Sequence, residues 1–333
     1  MTRLAAVDCG TNSIRLLICD STDGKIKEIH RTMEIVRLGE GVDETGHFSD
    51  AALARTANAL EGYATIMDIE RVNKVRMVAT SASRDAANKD EFFAMTAELL
   101  GRVVPGAQAE IISGEEEAAL SFKGAVADLP PEDGPFCVVD LGGGSTEFVV
   151  GSHGGPISGS YSAQMGCVRL SERIMRSNPA TAEEVTQADA YVAEQLARVR
   201  ADVPIGATRT LVGCAGTFTT LSALAQGLET YDSHAIHGSV LRFDALRVLT
   251  AQLIRESSEQ LSINPVIHPG RADVIAGGAV VVNGIMALLA EEADVHTMTI
   301  SEKDILDGII AELAGEYVGR GYRLDSISPR MMV

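Results

Sequence analysis

The chain of 333 residues is 46% hydrophobic and 22% charged, an ordinary globular composition whose length favours two domains. A formal net charge of −18 argues against broad binding to nucleic acid or an anionic membrane, and any polyanionic substrate would need a local basic channel and metal ions. No run approaches the ~18 apolar residues of a spanning helix, and five cysteines without a CxxC pair argue against a disulfide framework and a zinc site.

Residues 4–20 and about 25–37 read as strands joined by the turn signal Asp23-Gly24. A helix starts at about Asp50, its N-cap, with Ala52, Leu53, Ala57, Leu60 and Ala64 on the apolar face. Val72 to Thr80 is a strand running into the hydroxyl-rich turn Ser81–Asp85, with Arg84 at its lip. A helix over 85–101 precedes a short strand, Ala109 to Ile112. Ser113 and Glu116 have capping-box spacing, and Glu115, Glu116 and Glu117 suit the positive end of a helix. Read alone, that acidic turn is a cap.

After the linker Leu129–Pro135, strands flank three glycines, and Met165–Leu170 leads into a helix bearing Arg169, Arg173 and Arg176 on one face. Arginine suits phosphate, although a solvated or subunit-facing stripe explains the spacing equally well. Thr181 and Glu184 cap a helix over 181–201. Thr210 to Thr217 repeats the strand-to-helix turn of Val75 to Arg84, a natural anion site at a helix start, although a tight strand–helix packing turn would explain it equally well. Asp232, His234 and His237 lack a metal-ligand pattern and read as structural. Residues 244–259 are helical, Pro269–Asp273 introduces an apolar helix to about Leu289, and Thr297 to Ile300 is the final strand. Ser301 with Asp304 caps the last helix, and the tail after about Arg320 lacks periodicity. Cys9, Cys19, Cys137 and Cys214 lie in or beside apolar runs, so buried thiols in a reducing cytoplasm are expected.

The strongest chemical signal is Val138 to Val150, in which Asp140 and Glu147 bracket Gly142-Gly143-Gly144, although taken alone a glycine-rich hairpin turn with a solvated Asp and Glu explains it equally well. Glycines let backbone N–H groups approach an anion, and carboxylates with waters and phosphate oxygens are how Mg²⁺ is bound. The chain carries this pattern twice. Val7 to Ile18 aligns with Val139 to Val150 position by position: Asp8 with Asp140, Gly10 with Gly142, Ser13 with Ser145, and Arg15 where Glu147 stands. A long-offset repeat indicates a duplicated domain, with two loops gripping one phosphate-bearing ligand.

In order, Val7–Ser13, Ala79–Asp85, Ile112–Ala118, Asp140–Glu147 and Gly213–Thr217 resemble the exopolyphosphatase and guanosine pentaphosphate phosphohydrolase (Ppx/GppA) family in its short two-domain form. Arg271-Ala272-Asp273 also fits. The resemblance implies an α/β, duplicated actin-like fold of the ribonuclease H-like kind, shared with sugar kinases and heat-shock ATPases, with the active site between domains. The domains are drawn at 1–128 and 136–320, with the last helix, 302–317, able to pack back on the first.

By similarity, Glu117 orients or deprotonates the attacking water, while Glu115 and Glu116 only cap. Glu147 and Asp140 hold a divalent metal, Mg²⁺ or else Mn²⁺, with Asp8 in the same cluster. Asn12, Ser13, Gly143, Gly144, Ser145, Gly216 and Thr217 bind phosphate, and Arg84 clamps the chain. The implied protein is a cytoplasmic homodimer that releases orthophosphate from polyphosphate. The alternatives are removal of the γ-phosphate of guanosine pentaphosphate (pppGpp) or a nucleoside triphosphate, a small-molecule kinase of the same fold, and a nucleotide-binding, filament-forming actin relative without useful turnover. The chain has neither a GxxxxGK[ST] loop nor an Asp-x-Asp nucleophile, which favours water-directed, metal-assisted hydrolysis. Two departures stand out: no C-terminal HD-type domain, which puts long-chain processivity in doubt, and Ile305-Leu306-Asp307-Gly308 where the family often shows Leu-Arg-Glu-Gly.

Overall fold

The first apolar run folds as β1 (Thr2–Cys9), turns at Gly10 and returns as β2 (Ser13–Thr22), followed by β3 (Lys25–Ile35). The computed structural model describes residues 2–23 and 25–315, so Gly24, the tail after Arg320 and the end of the 302–317 helix lie outside the described residues. Next come α1 (Val42–Thr45), α2 (Asp50–Ile69), β4 (Lys74–Ala79), α3 (Ser81–Asp85), α4 (Lys89–Gly101), β5 (Ala109–Ile111) and α5 (Gly114–Ala125). The cap of α2 is Ser49, whose hydroxyl accepts from Ala52 N, one residue before the expected Asp50. Ser113 caps α5 as expected, but the Glu116 carboxylate goes to Arg76 at 2.6 Å instead of closing the box.

The second half contains β6 (Phe136–Leu141), β7 (Thr146–Gly151), β8 (Ile157–Ala163), α6 (Cys167–Arg173), α7 (Ala182–Asp202), β9 (Thr210–Cys214) and α8 (Gly216–Ala225). It continues with α9 (Ser233–Ile236), β10 (Val240–Arg242), α10 (Phe243–Arg255), α11 (Ser258–Leu261), α12 (Ile275–Ala293), β11 (Thr297–Ser301) and α13 (Ile305–Leu313). Thr181 and Glu184 form the full capping box of α7. At α13 the cap is Asp304 with Asp307 as its partner, and Ser301 instead donates to Lys303 O. Helix α12 corrects one expectation, because it is long and apolar enough to cross a membrane. Here it is a core helix, with Val280, Val281, Val282 and Ile285 buried in the second lobe.

Two sheets repeat one topology. The first is ordered β3-β2-β1-β4-β5, the second β8-β7-β6-β9-β11 with β10 added at its edge. In each, the first three strands form an antiparallel meander and the next two join in parallel. This is the duplicated actin-like α/β arrangement. Central strands β1 and β6 are buried on both faces, which is why they read as continuous apolar runs. In β1, Ala5, Val7 and Cys9 face the core under α2 and α4, whereas Leu4 and Ala6 face α13. Helix α5 lies on β6, β7 and β8 of the second sheet, and α13 lies on β1 and β2 of the first. The two helices cross between the sheets and form the floor of the cleft.

Candidate active site

The paired hairpins set the geometry. In both turns the first glycine donates to the serine carbonyl three residues on, Gly10 N to Ser13 O and Gly142 N to Ser145 O, each at 3.0 Å. Register then places Asp8 opposite Arg15 and Asp140 opposite Glu147. The turns approach closely: a Cβ at Gly144 would lie 2.5 Å from Ser81 Oγ and 2.8 Å from Thr11 Oγ1, so only glycine fits. The third wall is the start of α8, where Ala215 takes φ 70° and ψ 176°, backbone that is essentially glycine-only and costs about 1–3 kcal/mol. Such strain persists where the surrounding structure enforces it, commonly at binding sites.

One cleft is lined by Asp8, Asn12, Ser13, Glu117, Asp140, Gly143, Gly144, Ser145, Gly216 and Thr217. Arg84 and Glu147, the other two residues singled out from the sequence, are not among those lining it. Glu117 is buried and accepts from Arg84 Nη1 at 2.8 Å. Arg84 Nη1 also donates to Ile112 O at 3.0 Å, while its Nη2 is buried without a hydrogen-bond partner among the described residues. Glu147 is 1% exposed and accepts from Ser162 Oγ at 2.7 Å. Asp140 accepts from Ser121 Oγ at 2.6 Å.

Burial dominates the acidities. It pushes Glu117 well above the usual carboxylate range, helped by the charge of Glu147 and opposed by Arg84. Asp140 is raised to about 7 by burial, then by Asp304 and Glu147. Glu147 is raised by burial against the hydroxyls of Ser145 and Ser162, and Asp8 by burial against Arg15. Carboxylates crowded in this way are a setting for a hard cation, which would repay the repulsion. Among the described residues, however, no three Asp, Glu, His or Cys side chains are grouped to hold a metal by themselves. Asp8 is also engaged, since Arg15 Nη2 lies 2.6 Å from its Oδ2. The donor set therefore fits an ion that takes Asp140 plus phosphate oxygens and water, as Mg²⁺ does, and does not fit an all-protein cage.

The arginine stripe resolves differently from the sequence pattern. Helix α6 ends at Arg173, and Arg176 Nε bonds back to Glu172 O. Arg169 and Arg173 pair with Asp43 across the cleft, and Arg169 also reaches Asp85 at 2.8 Å and Gly144 O at 2.7 Å. The Asp232–His237 loop is structural: Asp232 caps α9, and His237 accepts from Glu302 N.

Comparison with known proteins decides the family: the sequence profile of the Ppx/GppA phosphatase family matches residues 17–316. This chain belongs to that family. It is 51% identical over 319 residues to Exopolyphosphatase 2 of Mycobacterium tuberculosis, covering 95% of this chain and 99% of that protein. The guanosine-5'-triphosphate,3'-diphosphate pyrophosphatase of Vibrio atlanticus is 31% identical, over 94% of this chain and 59% of that one. Among solved structures, an exopolyphosphatase-like protein matches with TM-score 0.88 at 36% identity, covering 95% of this chain and 100% of that one. An Aquifex aeolicus Ppx/GppA member matches with TM-score 0.77 at 31% identity, covering 96% and 99%.

Within this Ppx/GppA chain, sequence reasoning did not assign Ser121, Ser162, Arg271 or Asp304 to the site. Ser121 had a signal, four residues and one helical turn after Glu117. Ser162 had none, because it reaches Glu147 from the neighbouring strand β8.

Proposed function

We propose that this protein is an exopolyphosphatase, releasing orthophosphate from the end of inorganic polyphosphate by metal-assisted attack of water. The observation that carries the reading is the pair of mirrored turns, Gly10–Asn12 and Gly142–Gly144, facing one cleft with Glu117 in its wall. The turns and the start of α8 offer backbone N–H groups to phosphate oxygens. Glu117, held by Arg84, accepts the proton of the attacking water, and the bridging oxygen leaves with the shortened chain. Arg84 Nη2, without a partner among the described residues, is a donor left over for a phosphate oxygen. Asp140 faces the cleft as the carboxylate for Mg²⁺, or Mn²⁺, which supplies neutralisation of the phosphate oxygens. The five free, buried cysteines suit a cytoplasmic protein.

The test is steady-state orthophosphate release from tripolyphosphate, long-chain polyphosphate, GTP and pppGpp, with Mg²⁺ and with EDTA. The reading requires the highest kcat/KM on a polyphosphate and loss of turnover in EDTA. A higher kcat/KM on pppGpp would replace it with the guanosine reading. ATP-dependent phosphorylation of a small acceptor would replace it with a kinase.

A further inference from the structure

Beside the phosphate turns the cleft opens into a second chamber of about 720 Å³, and the two share Arg15, Ala215, Gly216 and Arg271. The guanidiniums of Arg15 and Arg271 thus border both the phosphate turns and this chamber. They are dressed differently. Arg271 is half-buried over Gly216, where a Cβ would collide with its guanidinium. Among the described residues no carboxylate lies within ion-pair distance of it, and burial lowers its pKa. Arg15 carries two carboxylates, Asp8 on β1 and Asp304 at the cap of α13.

Asp304 is 3% exposed and fully engaged, its second oxygen accepting from Leu306 N at 3.1 Å. Glu302, two residues earlier, is on the same chamber wall and accepts from the Tyr231 hydroxyl. Arg31, the chamber's other arginine, is spent on Glu28 and Asp307. One guanidinium between two carboxylates leaves a negative charge over, and it offsets Arg271. The mouth of the chamber thus has no net positive charge to offer a polyanion.

We infer that Asp304 is a specificity-determining residue: by neutralising Arg15 at the chamber mouth it restricts the cleft to substrates with little charge beyond the anhydride being cut. The inference rests on the phosphoanhydride reading and narrows its substrate class to short polyphosphates, over long chains and over nucleotides with a 3′-diphosphate. A carboxylate fixed at the entrance repels each further phosphate. Arg15, held on both sides, cannot turn to a new anion without leaving a buried carboxylate unpaired. Discrimination by a built-in repulsive element is a recognised route to specificity.

The unaltered protein gives the first test. Its kcat/KM falls with polyphosphate chain length, and it is lower on pppGpp than on GTP, which differ only in the 3′-diphosphate. Asp304→Asn removes the charge and keeps a side chain that caps helices well. It is expected to raise kcat/KM on long-chain polyphosphate and pppGpp about tenfold relative to tripolyphosphate and GTP, mainly through KM. Asp304→Glu returns the ratio towards that of the unaltered protein, and Glu312→Gln, which removes the same charge opposite Arg76 further along α13, leaves it unchanged. Equilibrium binding of long-chain polyphosphate in EDTA reports the same shift without turnover.

An unaltered protein that prefers long chains overturns the inference, as does a folded Asp304→Asn with unchanged ratios. If Asp304→Asn does not fold, the GTP-against-pppGpp comparison, which does not depend on chain length, decides alone. Failure of the unaltered protein to release phosphate from any of the four substrates overturns the proposed function instead.

Discussion

Glu117 follows two other glutamates on the first turn of α5, and the three diverge. Glu115 and Glu116 are exposed, Glu116 held outside by Arg76, while Glu117 turns inward to Arg84. Glu117→Gln keeps the size and loses the basic oxygen, so kcat is expected to fall about 10²–10⁴-fold. Glu115→Gln removes a charge from the same turn and should cost no more than about 0.3–1 kcal/mol of stability with turnover kept. Equal kcat values in the two variants would remove Glu117 from the chemistry. Asp140 offers a second measurement, because its folded pKa of about 7 lies above the ordinary 3.8. A carboxyl raised in this way binds more protons folded than unfolded. Its stabilising contribution is present at low pH and is lost as pH rises from 3.8 to about 7. In EDTA, the melting temperature of the unaltered protein should fall through that window relative to Asp140→Asn, whose side chain stays neutral. Parallel curves would mean that Asp140 is not a buried acid.

The element that carries Glu117, and Ser121 that donates to Asp140, is α5, and its depth is set by its crossing with α13. The helices touch backbone to backbone: a Cβ at Gly308 would collide with Leu120 O, and one at Gly124 with Asp304 O. Side chains at this crossing cannot rotate out of the way, because the obstacle is main chain. Gly308→Ala is therefore expected to cost at least the ~1–3 kcal/mol typical of overpacking, and to lower kcat by displacing the helix that carries Glu117 and Ser121. Gly62→Ala is the control: Gly62 is exposed on α2 with no described residue near its absent Cβ, and the change should stabilise by up to about 1 kcal/mol. Denaturant unfolding separates the two outcomes. A neutral Gly308→Ala would show that the crossing has room to relax.

At the scale of the molecule, the two lobes are clasped over the cleft by charge. Arg169 and Arg173 of α6 meet Asp43, Arg169 also meets Asp85, and Arg37 meets Asp273 at 2.7 Å. Arg169 is buried and donates to Gly144 O within the phosphate turn, so the clasp and the site share a residue. Truncating one partner of a buried pair costs about 3–5 kcal/mol, and here opening the cleft relieves that cost by returning Asp43 to water. Arg169→Ala should enlarge the radius of gyration in small-angle scattering and raise KM. Scattering and KM unchanged from the unaltered protein would mean that the clasp does not hold the lobes closed.

The sequence by itself determined the paired turns, the strand-to-helix turns and most helix starts, since these depend on residues a few positions apart. Asp8 opposite Arg15 and Asp140 opposite Glu147 follow from hairpin register once Gly10 and Gly142 are aligned. Ten of the twelve candidate residues accordingly reach one cleft, Arg84 and Glu147 being the two that do not line it. Caps slipped by a residue or more where two candidates stood nearby, as with Ser49 beside Asp50 and Asp304 beyond Ser301. What only the tertiary structure decided are pairings that no spacing encodes. Arg84 meets Glu117 from another element, Arg169 meets Asp43 from the other lobe, and Asp304 closes on Arg15 from 289 residues away. Helix α12 shows the same limit, since its apolar residues would suit a membrane or a core equally. The reason is physical: local hydrogen bonding and periodicity act along the chain, whereas burial and charge pairing are set by whatever the fold brings alongside.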